Sequence, residues 1–261
     1  MGITFNNRHS DDFGVCVNTT SMSVIPQKRQ MDEEVQGRDG SYIFEDGYNN
    51  IKIELECTIP GDKILDRRKK ARQVALWLTD TGILVFDYER DIEYKVVKVT
   101  NDVAESMLSR EYRDTFTIIF ECEPYQHQSY YNDNLTWDDA TGAWDYTNIP
   151  WEGHDRTFTV SAGQTIDVIN AGTYKTFPVI KLSGQALSIT MGPIIFTNLS
   201  GIVYIDCKNK LVYSLDGDSK VNKIGNFDGD FLELLPGSNK FQIGGTITNL
   251  VVEFDYRNTY L

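Results

Sequence analysis

Long apolar runs are missing from this chain. Nothing in its 261 residues approaches the ~20 consecutive apolar side chains of a membrane-crossing helix. The first residues also lack the charged-then-apolar pattern of an export signal, so a soluble protein used without secretion or a membrane is expected. Proline is scarce, with 7 residues, and cysteine scarcer, with 4. Cys16, Cys57, Cys122 and Cys207 lie far apart with no CxxC pair, which argues against a disulfide framework. Cys57 and Cys122 sit in alternating segments and read as buried free thiols. The three histidines, His9, His127 and His154, are remote from one another and from the cysteines, so a zinc site has little support. There is no P-loop, no GxGxxG after a strand, no GxSxG elbow and no HExxH.

Positive charge is short as well. Against 38 acids stand 25 lysines and arginines, for a net charge of −13. Such a protein is poorly suited to gripping phosphate backbones, which depends on Lys and Arg displacing counterions, and specific nucleic-acid binding is not expected. The basic stretch Arg67-Arg68-Lys69-Lys70 reads as a solvated helix face or as contacts to an acidic neighbour. Asp216-Gly217-Asp218 and Asp228-Gly229-Asp230 resemble calcium loops. Lys220 and Leu232 stand where the next oxygen ligand is needed, so these are read as turn acids.

What is present favours β structure, with 14 tyrosines and 13 phenylalanines. Residues 1–25 read as two short strands around the polar turn His9-Ser10-Asp11-Asp12. Pro26 to Gln36 is charged and aperiodic, a long arm leading into the turn Gly37-Arg38-Asp39-Gly40. Ile51 to Ile59 places apolar residues at every second position, the mark of a strand with one buried face. The single convincing helix spans Ile64 to Thr79, with Asp62 as N-cap and Gly82 as its stop. Its expected apolar face is Ile64, Leu65, Arg68, Ala71, Val74, Ala75 and Leu78, with Arg67, Lys69, Lys70, Arg72 and Gln73 mostly outward. A hairpin follows with its tip at Glu89-Arg90-Asp91, then an alternating strand from Arg113 that stops at Pro124.

A first domain of residues 1–125 and a second of 126–261 follow, with 126–155 as linker and first turns. In the second, many short strands with Gly, Asn and Asp punctuation and no helix argue for a sandwich or jelly roll. The linker carries Trp137, Trp144 and Trp151, with Asp138, Asp139, Asp145 and Glu152 among them. Aromatics there serve core or interface, or else a saccharide platform; two carboxylates across a cleft would make a glycosidase.

The order of these blocks resembles the distal tail protein family (Dit) of long-tailed bacteriophages. The resemblance rests on Gly37-Arg38-Asp39-Gly40-Ser41, on Val74-Ala75-Leu76-Trp77-Leu78 and on Gly82-Ile83-Leu84-Val85-Phe86. Further on, Asn170-Ala171-Gly172-Thr173-Tyr174, Phe177-Pro178 and Leu235-Pro236-Gly237-Ser238-Asn239 continue it. It implies a mostly β protein with minor α: an N-terminal β-sandwich with one flanking helix, then a C-terminal galectin-like β-sandwich. It also implies a virion structural protein without enzymatic activity or cofactor, assembled in the host bacterial cytoplasm. Its expected form is a hexameric ring that joins the tail tube to the tip or baseplate and lets DNA pass. Expected partners are the tail tube protein, the tape measure protein, a tail-associated fibre or lysin protein and a receptor-binding protein. The arm and turn residues Lys28, Arg29, Asp32, Glu33, Glu34, Arg38 and Asp39 are the candidate subunit interface. The alternative is a carbohydrate-binding module for host saccharides, with Trp137, Trp144 and Trp151 as its platform.

Overall fold

The structure, a computed structural model, describes residues 2–23, 25–34, 36–37, 39–102, 113–129 and 156–261. They fall into two units, one within residues 1–147 and one within 148–260. The first runs β1 (Ile3–Phe5), β2 (Arg8–His9), a 3-10 turn (Ser10–Phe13), β3 (Cys16–Met22), β4 (Lys28–Glu34), β5 (Ser41–Tyr48) and β6 (Ile51–Pro60). It continues with α1 (Ile64–Trp77), β7 (Gly82–Phe86), β8 (Glu89–Asp102) and β9 (Arg113–Gln128). Among the described residues α1 is the single α-helix, and the protein is mostly β as expected.

Alternation in β6 organises this unit. Ile51, Ile53, Leu55, Cys57 and Ile59 are buried while Lys52, Glu54 and Glu56 face solvent. Both edges of β6 are paired, Ile51 to Pro60 with β9 and its middle with β3, in an antiparallel sheet ordered β2-β1-β7-β8-β9-β6-β3. Phe5, Leu84, Phe86, Tyr94, Ile118 and Phe120 complete the buried layer.

The helix is rotated from the expected face. Ile64, Leu65 and Arg68 are exposed, and Arg67, Val74 and Trp77 are buried, with Lys70, Ala71 and Leu78 half-buried beside them. Trp77 accounts for this. Its indole N–H must keep an acceptor when buried, and it donates to the Phe5 carbonyl at 3.0 Å. The ring stacks on Phe13 at 4.6 Å and meets Phe5 edge-on at 6.3 Å. Turning Trp77 inward carries Arg67 in with it, where Nη1 donates to the Gly61 carbonyl at 2.7 Å. The helix ends differ too. Lys63, not Asp62, is the cap residue, and it makes no side-chain cap bond. The helix ends at Trp77, and Gly82 opens β7, where a Cβ would lie 1.7 Å from Asn6 Oδ1.

Two strand ends also depart from expectation. Phe86 pairs with Glu89, so the hairpin tip is Asp87-Tyr88 and residues 89–91 belong to β8. β9 continues past Pro124 to Gln128. The β8–β9 register slips there, from Val96↔Cys122 to Tyr94↔Gln126. Proline cannot donate to a ladder, and a bulge lets the strand pass through it.

The second unit contains β10 (Thr157–Val160), β11 (Thr165–Asn170), β12 (Val179–Met191), β13 (Ile194–Asp206), β14 (Leu211–Asp216), β15 (Ser219–Asn222), β16 (Phe227–Gly229) and β17 (Gly237–Asp255). The sheet order is β10-β17-β12-β13-β14-β15, with β11 also on β17 and β16 on β13, wrapped sandwich-like about one core. Pairs of short strands were expected where β12, β13 and β17 run unbroken. The apparent breaks are bends: the β12–β17 register shifts between Gln185 and Ser188. Close by, Gly184 has φ +138 and its Cβ would meet the Asn249 carbonyl at 2.0 Å.

Trp77→Ala is expected to destabilise the first unit by about 3–5 kcal/mol in urea denaturation. Trp77→Phe, which keeps a ring and loses the N–H donor, should cost less. Equal losses would assign the anchor to the hydrogen bond rather than to packing.

Candidate functional site

The charged segment expected to be an aperiodic arm is a strand, β4, although its residues show no alternation of burial. β4 pairs with β5 in a sheet of its own, so the arm is a hairpin and extends to Tyr48. The turn between them has Gly37 at φ +88 and Gly40 at φ +85, a left-handed backbone that favours glycine. Every described residue from Lys28 to Gly47 is exposed. At the base the Asn49 N–H donates to the Gln27 carbonyl at 2.8 Å. Lys28 pairs with Glu45 at 2.8 Å, and the Arg29 Nε donates to the Asp46 carbonyl at 2.8 Å. The hydrogen bond between them raises the Lys28 pKa and lowers that of Glu45.

The outer half of the hairpin is different. Opposed residues share a face of a two-stranded ribbon. Met31↔Phe44 and Glu33↔Tyr42 lie on one side, and Asp32↔Ile43 and Glu34↔Ser41 on the other. Met31 is 70% exposed and Phe44 53%, and the Tyr42 and Phe44 rings lie 6.5 Å apart. The hairpin therefore carries one apolar side with a single acid and one side richer in acids. Of the candidate interface residues, Lys28 and Arg29 sit at the base, Asp32, Glu33 and Glu34 on outer β4, and Asp39 in the turn. Arg38 lies outside the described residues.

A groove of about 270 Å³ runs beside α1, lined by Ile59, Arg68, Ala71, Val74, Ala75 and Leu78 together with Val99, Phe116 and Ile118 from the sheet. Much of the helix face expected to enter the core instead walls this groove. Lys69 and Arg72 are exposed along the same helix.

Other groups are structural. Asn170 is buried, donates to the Tyr174 and Leu234 carbonyls at 2.9 and 3.0 Å, and accepts from the Gly172 N–H. Asn239 donates to the Leu235 and Gly237 carbonyls and accepts from the Leu235 N–H. Both asparagines thus brace the chain at 234–235. Asp216-Gly217-Asp218 forms the turn between β14 and β15. Among the described residues no group of three or more metal-type side chains gathers. Trp137, Trp144 and Trp151, with Asp138, Asp139, Asp145, Glu152 and His154, lie outside the described residues. Sequence reading passed over Tyr204 and Tyr213, stacked at 5.4 Å on neighbouring strands with Lys220 at 4.3 Å over Tyr213. Outward aromatics at opposed strand positions were its only sequence signal.

Residues 16–128 match the family described as phage tail protein RIFT-related domain. No curated protein matches the chain. Over its whole length it is similar in fold to the hub adsorption protein Dit of phage SPP1, with TM-score 0.69 and 13% identity, covering 100% of this chain and 99% of that one. A chain of the phage p2 baseplate in its activated conformation aligns at TM-score 0.41 and 10% identity, covering 97% of each.

Two outcomes are expected. Burial pushes the Cys57, Cys122 and Cys207 thiols up to about 12, whereas Cys16 is exposed. Thiolate is the reactive form, so alkylation at about pH 8 should modify Cys16 alone until the protein is unfolded. Burial also raises the Glu89 pKa, against a hydrogen bond from Tyr94 Oη at 3.2 Å. A raised folded pKa means stability present in acid and lost as pH rises through that pKa. Glu89→Gln keeps an acceptor for Tyr94 and removes the ionisation. Its melting temperature should exceed the parent's at neutral pH, with the gain vanishing below about pH 4.

Proposed function

We propose, for a chain with a phage tail protein domain at residues 16–128 and the distal tail protein fold throughout, that six copies close into a ring joining tail tube to tail tip. The protein is then a structural part of the virion tail, with a ring-forming domain of residues 1–125 and a second, galectin-like domain of 126–261. The observation that carries this reading is the hairpin β4–β5. A two-stranded ribbon is marginal in water by itself, and covering one large apolar side chain is worth about 1.5–3 kcal/mol. Met31, Ile43 and Phe44 lack that cover in a single copy. A neighbouring copy supplies it, and Asp32, Glu33 and Glu34 set the register between subunits, since interface charges steer and align partners more than they add affinity.

Such a ring surrounds a conduit. The −13 charge suits a wall along which DNA slides without sticking. The tail tube protein and tape measure protein meet one side of the ring, and the fibre or lysin and receptor-binding proteins meet the other. Assembly takes place in the host cytoplasm. The ring acts by position and shape, without catalysis.

Light scattering with electron microscopy tests this, the expected particle being a six-fold ring with a mass six times 29.8 kDa. The Gln27–Asn49 closure lets residues 28–47 be replaced by two glycines, which leaves Tyr48 against Tyr125. That variant should be a folded monomer of near-parental stability. Rings formed without the hairpin would refute its role as the strap.

A further inference from the structure

The chain carries two surfaces that suit each other. One is the apolar side of the hairpin, with Met31, Tyr42 and Phe44 and the single acid Glu33. The other is the concave apolar groove beside α1, whose wall includes Arg68 and whose helix also exposes Lys69 and Arg72. In a chain with a net charge of −13, an apolar groove with Arg68 in its wall is matched to an occupant with an acid beside its apolar residues.

The two surfaces belong to opposite ends of one strand. The hairpin is rooted at Gln27 and Asn49, next to the Ile51 end of β6, and the groove opens at Ile59. Eight residues at about 3.4 Å each separate those ends by roughly 27 Å. The hairpin does not lie in its own groove, because Met31 and Phe44 are exposed. A surface at one end of a subunit that fits a different surface at the other makes a head-to-tail contact, and head-to-tail contacts form a ring where the rotation between copies closes.

We infer that the hairpin of one copy docks in the α1 groove of the next, with Met31, Tyr42 and Phe44 turned inward and Glu33 set against Arg68. The assignment rests on the ring reading and names the surface that receives the strap. Ile43, on the other side of the ribbon, then faces away from the groove.

Cross-linking between copies tests it. In a Cys16→Ser background, chains carrying Phe44→Cys and chains carrying Ala75→Cys are given different tags, mixed at high concentration and treated with a short bis-maleimide. Phe44 and Ala75 are both exposed, so neither change enters a core. A cross-linked species holding both tags is expected, and an Ile43→Cys chain in place of Phe44→Cys should give far less. Glu33→Arg and Arg68→Glu should each weaken association about tenfold or more, and the two together should restore it. Cross-linking from Ile43 as strong as from Phe44, or a double swap no better than either single change, overturns the docking. If the mixed-tag species fails to form, the docking is wrong. The mass of the parent chain in the same solution then shows whether the ring reading falls with it.

Discussion

Strand β6 is paired along both edges and buries every second residue from Ile51 to Ile59, and the rest of the first unit is placed by it. Its partner β3 ends at Met22, shortly before the hairpin opens at Lys28, and the hairpin ends at Tyr48, shortly before β6 begins at Ile51. The arm is therefore anchored at both ends by strands that cannot slip, since a one-residue shift would turn Ile53 and Leu55 out of the core. The same strand ends at Pro60, and the next residues deliver α1 to the sheet through Trp77. One strand thus fixes where the hairpin leaves the unit and where the groove forms.

This geometry keeps the hairpin apart from the core of the first unit. The core side chains around Phe5, Trp77 and Phe120 belong to a layer that the hairpin does not enter, and the ribbon closes on itself at Gln27 and Asn49. Its ion pairs are at the base, where Lys28 and Glu45 meet; its outer half carries apolar and acidic side chains facing water. The ribbon is paired at its root and exposed along its outer half, outside the core of its own unit.

The residues behind the distal-tail resemblance in the second unit do architectural work. Asn170 and Asn239, remote in sequence, hold the same short stretch from either side through backbone carbonyls and N–H groups. A side chain whose polar atoms are committed to the backbone has little left for a ligand. Such motifs report a fold rather than a chemistry, which agrees with a whole-length likeness in fold at 13% identity.

The sequence alone determined the class, the strand character of β6 and β9, the helix and its approximate span, and the free thiols. These follow from local periodicity, spacing and composition, which survive without knowledge of neighbours. It also placed the glycine turn at 37–40. Which helix face goes inward was decided by tertiary structure, because one indole needed both a stacking ring and a carbonyl. The unbroken lengths of β12, β13 and β17 were decided the same way, since a glycine reads as a stop locally and as a bend when another strand crosses it closely. The hairpin's partner strand was hidden for a similar reason. Residues 41–48 carry no alternation of burial, all but the last being exposed, and pairing with β4 is what makes them a strand. The groove could not be read at all, because it is made of α1, β6, β8 and β9 together and exists only once packing has set the helix across the sheet.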